Sequence, residues 1–138
     1  MMVLVDTSIW SLALRRKHTD LSSQERQHVN ALRDLIREGR AQIVGPIRQE
    51  LLSGIREAER YRRILDELRD YPEPALDVSD YEEAAHMSNQ CRTRGIAGSP
   101  IDFLMCAIAH HRQWHIFTTD RDFQHYRKAI AVRLYTPS

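Results

Sequence analysis

Short apolar runs alternate with longer segments of helical period along nearly the whole chain, and this alternation limits the fold more than any other feature. Residues 2–5, 41–44 and 114–117 are brief and largely apolar, as expected of buried strands. Residues 76–78 and 131–135 read as two further strands. Helical stretches separate them. Residues 7–15 place Ile9, Leu12 and Ala13 on one face, and a segment starting near Ser22 and ending at Gly39 carries Val29, Leu32, Leu35 and Ile36. Helices are also predicted from Pro46, over about 57–69, and from Ser79 or Asp80 to about Arg94. The last, 100–111, is apolar on almost every side, which suits a helix in the middle of a domain. Strand–helix alternation predicts an α/β fold, a three-layer α/β/α sandwich around a central, mainly parallel sheet. At 138 residues, with no repeat, low-complexity stretch or linker, residues 1–138 are expected to form a single domain.

Function in open α/β sheets collects beyond the carboxyl ends of the strands. Asp6 follows the first strand and Asp120 follows the run 114–117. Glu50 and Asp102 are expected in the first turns of helices that begin at Pro46 and Pro100. Each acid has an ordinary alternative. Asp6 could cap the next helix. Ser99-Pro100-Ile101-Asp102 fits a capping box with Asp in place of Glu. Glu50 could face solvent on an amphipathic helix, and Asp120 and Asp122 could be turn residues. A carboxylate at the mouth of an apolar helix is nonetheless costly unless it is paired or bound to metal.

Four acids are thus predicted at one sheet edge, with no His or Cys beside them at metal-ligand spacing. The two cysteines, Cys91 and Cys106, form no CxxC motif. Oxygen ligands alone select hard cations, Mg²⁺ or Mn²⁺. The chemistry that such a site supports best is phosphodiester hydrolysis by activated water, with no protein nucleophile.

A net charge of +1 implies no strong overall pull toward nucleic acid. The cations are unusual in kind, because Lys17 and Lys128 are the only lysines. Arginine suits planar, bidentate contacts to phosphate. Arg15, Arg16, Lys17, Arg48, Arg94 and Arg121 flank the acidic segments and are the candidates for contacts to substrate phosphate, each with a solvated surface charge as its ordinary reading. Cysteine usage, the lack of a signal-type N-terminus and the lack of a bilayer-length apolar run suggest a cytoplasmic protein.

The order of these segments is informative. Asp6-Thr7-Ser8 follows a strand, Glu50 follows Pro46, Asp102 closes Ser-Pro-Ile-Asp, and Thr118-Thr119-Asp120-Arg121-Asp122-Phe123 follows another strand. Across essentially the whole chain this resembles the PIN domain, and specifically the VapC-type toxins of bacterial toxin–antitoxin modules. The resemblance implies a Mg²⁺- or Mn²⁺-dependent endoribonuclease. Asp6, Glu50, Asp102 and Asp120 match the family's acidic quartet, whose implied role is catalysis through metal coordination, directly or through water. Ser8 and Thr118 match positions that often carry supporting hydroxyls. Asp122 matches a position that is often acidic or polar, and ranks below the four. Asp120 stands where many relatives carry Asn. Implied partners are the RNA substrate and a small antitoxin that occludes the site, in a homodimer or toxin–antitoxin hetero-oligomer without a membrane.

Two other readings compete. An aspartyl-nucleophile phosphatase of the haloacid dehalogenase type needs a second Asp two residues after the first, and Ser8 stands there. A catalytically inactive PIN-like binding module should have lost acids, and this chain keeps all four.

Overall fold

The structure, a computed structural model, describes residues 1–137. Three strands form one parallel sheet in the order β2-β1-β3, namely β1 (Val3–Val5), β2 (Ala41–Gln42) and β3 (His115–Phe117). The helices are α1 (Thr7–Leu14), α2 (Ser23–Arg37), α3 (Gly45–Leu52), α4 (Ala58–Arg69), α5 (Val78–Thr93), α6 (Pro100–Arg112) and α7 (Asp122–Tyr126). A 3-10 turn at His18–Asp20 joins α1 to α2. Helix α1 packs on α2 and α3, α3 on α4, and α5 on α6, which itself packs on β3. The architecture is the expected α/β sandwich.

Local chemistry explains the boundaries. Ser22 and Glu25 form a reciprocal capping box at the start of α2, and Gly39, at φ 70°, follows its end in the left-handed conformation that glycine adopts at least cost. Central strand β1 is wholly buried, so its residues are apolar without alternation. Helix α6 is buried from Phe103 to Ala109, as its sequence predicts. The main core joins the sheet, α6 and the inner faces of the other helices. A small second cluster of Leu12, Leu21 and Val29 closes the α1–α2 corner.

Two expected strands are corrected. Residues 76–78 are not a strand. Asp77 caps α5 in a capping box with Asp80, and the helix already begins at Val78. Residues 131–135 shrink to a single parallel bridge between Leu134 and Ile116, flanked by hydrogen bonds from Ile116 N to Arg133 O and from Tyr135 N to Ile116 O. In addition, residues 122–126, where the sequence predicts no helix, form α7.

Candidate active site

The parallel register positions the first two elements of the site. Val5 pairs with Phe117, and Asp6 N donates to Phe117 O at 2.9 Å. The next residue on each strand therefore leaves the sheet beside the other, so Asp6 and Thr118 emerge together. Thr118 Oγ1 donates to Asp6 Oδ2 at 2.7 Å, and Ser8 Oγ donates to the same oxygen at 2.9 Å. Each hydroxyl has one proton, and both are committed to Asp6. Their oxygens then accept from the following turn: Thr119 N donates to Ser8 Oγ at 3.1 Å and Asp120 N to Thr118 Oγ1 at 2.9 Å. Asp6 sits at the N-cap position of α1, yet its carboxylate caps no backbone N–H of the helix. It is 8% exposed, so the two hydroxyls satisfy an otherwise buried charge. The simple capping role is thereby replaced.

Asp102 behaves similarly. Ser99 Oγ accepts from Asp102 N at 3.0 Å and so caps α6, but the Asp102 side chain does not close the box. Its Oδ2 instead accepts from Tyr126 Oη at 2.7 Å. Burial pushes the Asp102 carboxyl above its ordinary range. The Tyr126 and Ser99 hydrogen bonds oppose that rise, while the charges of Asp6 and Asp120 add to it. Burial and the donation to Asp102 hold the Tyr126 hydroxyl far above the usual range, so it remains a proton donor.

Asp102, Asp120 and Asp122 each bring a carboxylate oxygen within 4.8 Å of the others. Asp120 Oδ1 accepts from Asp122 N at 2.9 Å, which folds the loop so that both side chains turn toward Asp102. Asp122, ranked below the quartet on sequence, is thus a member of the tight trio. Asp6 adjoins the trio through Thr118. Glu50 lies further out. It is exposed in the second turn of α3 rather than the first, because α3 begins at Gly45, and its Oε1 accepts from Thr7 Oγ1 at 3.1 Å.

The cations divide differently from the sequence expectation. Arg48 is spent on structure: it donates to Glu73 Oε1, Leu68 O and Tyr71 O, tying α3 to the end of α4. That corrects its place among the rim candidates. Arg121 lies in the acidic loop, and Arg94 is exposed at the end of α5. Arg15, Arg16 and Lys17 stand at the opposite end of α1 from Asp6. Sequence reasoning missed Tyr126 altogether. Its only sequence signal is the spacing to Asp122, four residues away on a helix that was not foreseen.

Oxygen donors at this spacing, without nitrogen or sulfur, suit a hard divalent cation, and clustered carboxylates repel one another without one. Fold and site together define an acid-cluster α/β protein with its chemistry at the carboxyl edge of a parallel sheet. The match to the PIN domain family model extends over residues 3–129, and the chain belongs to the PIN domain family. No curated protein matches the chain in sequence.

Solved structures agree on the fold. The FitAcB structure from Neisseria gonorrhoeae superposes with a TM-score of 0.75 at 19% identity, covering 99% of this chain and 98% of that one. The VapBC2 structure from Rickettsia felis, bound to a DNA fragment from their promoter, gives 0.73 at 16% identity and 98% of both chains. A toxin–antitoxin complex from Klebsiella pneumoniae gives 0.69 at 16% identity, covering 99% of this chain and 98% of that chain.

Proposed function

We propose that this chain is a Mg²⁺- or Mn²⁺-dependent endoribonuclease, the toxin of a toxin–antitoxin pair, with residues 1–138 acting as one nuclease domain in the cytoplasm. The observation that carries the proposal is the convergence of Asp102, Asp120 and Asp122 at the sheet edge of a PIN domain. These three would hold the cation, with Asp6 and Glu50 contributing directly or through water. When bound, the ion activates water and offsets charge on the scissile phosphate.

The protein's own residues prepare the site. Ser8 and Thr118 fix the Asp6 carboxylate, and Tyr126 fixes that of Asp102. Such hydrogen bonds orient ligand carboxylates before any ion arrives. Arg121, exposed and between two of the acids in sequence, would meet substrate phosphate. The phosphatase alternative lacks support, since Ser8 spends its only proton on Asp6. An antitoxin partner, in a toxin homodimer or a hetero-oligomer, is inferred from the toxin–antitoxin complex from Klebsiella pneumoniae that shares the fold. Among the described residues, no helix is long and apolar enough to cross a membrane.

Induced expression in a bacterial host tests the toxin reading. Wild type should arrest growth, and Asp6→Asn, expressed to the same level and folded, should not. Equal arrest by both would remove the acidic site from the cause.

A further inference from the structure

The far end of α1 carries a charged feature that the acidic site does not use. Two adjoining open grooves lie where α1 ends and α4 begins, sharing Arg15, Arg16, Glu57 and Arg60. Lys17 and Arg63 line one and Arg56 the other, so six cations face only two acids, Asp20 and Glu57. On a chain of net charge +1 this is a strong local excess.

The side chains of Arg15, Lys17, Arg56 and Arg63 make no hydrogen bond or ion pair with any described residue. Two cations do have structural partners. Arg16 pairs with Glu25 Oε2 at 3.2 Å, and Arg60 donates to the carbonyl of Arg15 at the end of α1. These two hold the walls; of the other four, Lys17, Arg56 and Arg63 are exposed and Arg15 is half-buried. Keeping unpaired cations together costs repulsion, which an anionic ligand would relieve.

We infer that this double groove binds the phosphate backbone of single-stranded RNA, a few nucleotides from the scissile bond. The inference rests on the nuclease reading. Helix α1 connects the two regions, with Asp6 at its start and Arg15 at its end. Its eight residues span about 12 Å at the ordinary helical rise. RNA entering the acidic site is thus within reach of the groove along one helix. Five of the six cations are arginine, whose fork fits phosphate oxygens in pairs. Backbone contacts of this kind supply affinity and register, not sequence choice.

The test is binding of fluorescent single-stranded RNA to the full chain in excess chelator, across a salt series. The double variant Arg56→Gln/Arg63→Gln changes two exposed side chains. Arg33→Gln/Arg37→Gln on α2 is the charge-matched control. The groove variant should bind roughly tenfold more weakly, and the slope of log K against log salt should become shallower by about 1.4, two phosphate contacts having been lost. The control should match wild type. Unchanged affinity and slope in the groove variant would overturn the inference and leave the nuclease reading standing. Polyglutamate is titrated in parallel, and its loss from the groove variant with RNA binding intact would overturn the inference in favour of an acidic protein partner. Groove-dependent RNA binding by a wild-type protein that cuts no RNA in Mn²⁺ would support the groove and sink the nuclease reading instead.

Discussion

The Tyr126 hydroxyl donates to Asp102 Oδ2 at 2.7 Å, joining the last helix to the mouth of the central one. The phenol ring is buried against Phe103 and Phe123, so its oxygen has little freedom to choose another partner. Tyr126→Phe keeps the ring and removes one hydrogen bond to a carboxylate. It should cost about 1–2 kcal/mol at neutral pH. It should also weaken Mn²⁺ binding, since Asp102 would lose its orienting donor. Urea unfolding and Mn²⁺ titration read the two effects. Equal Mn²⁺ affinity in both proteins would show that Tyr126 serves only packing.

Gly98 makes that contact sterically feasible. A Cβ there would lie 2.7 Å from both Cε1 and Oη of Tyr126 and 2.8 Å from Cζ of Phe103. Gly98→Ala should therefore push the ring away from Asp102 and destabilise the fold by about 1–3 kcal/mol. It should also copy the Mn²⁺ defect of Tyr126→Phe. Thermal melts with and without Mn²⁺ would show both, and a neutral Gly98→Ala would mean that the ring has room to yield.

Asp102→Asn should stabilise the metal-free protein at neutral pH. The Asp102 carboxyl is raised in the fold, so the folded state holds its proton more tightly than the unfolded chain. Its contribution is favourable below the ordinary carboxylate range and is lost as pH rises through the higher folded value. An amide has no such dependence. The advantage of the variant should shrink as pH falls toward and below the ordinary Asp value. An advantage that is constant with pH would point to packing instead of charge.

Asp80 gives the opposite sign. Its side chain is 1% exposed, and Arg112 grips it with two bonds, Nη1 to Oδ1 at 2.9 Å and Nη2 to Oδ2 at 3.0 Å. His111 Nδ1 adds a contact at 3.0 Å. The Arg112 hydrogen bonds hold the Asp80 carboxyl far below its usual range. Stability from this group is complete above the ordinary Asp value and is lost as pH falls through that value toward the folded one. Asp80→Asn should cost about 2–4 kcal/mol at pH 7, because it leaves Arg112 without its charge partner. The gap to wild type should narrow in acid. A loss that does not change with pH would show that the pair contributes through shape.

The sequence revealed those parts of the fold that rest on local pattern. The alternation of runs identified the parallel sheet, and the all-round apolar character of 100–111 put α6 in the buried core. The acids were visible because their positions follow strand ends and helix starts. What stayed hidden depends on competition or distance. At 76–78 an apolar pair suggested a strand, and the capping box of Asp77 with Asp80 prevailed. The Tyr126–Asp102 bond joins residues 24 apart through a helix too short to announce itself. Arg48 looked like a free cation because nothing local shows that Glu73 and two carbonyls near the end of α4 await it. The promotion of Asp122 into the trio follows from a hydrogen bond to its own backbone N–H, which no spacing rule encodes.

The central claim is that the carboxylates at the sheet edge act together to cut RNA with a divalent cation. The direct measurement is cleavage of a cellular RNA pool by purified protein in Mg²⁺, in Mn²⁺ and in chelator, beside folded Asp102→Asn. The account predicts discrete cuts that need the metal and disappear in the variant. Cuts that persist in chelator, or that survive in Asp102→Asn, would contradict it.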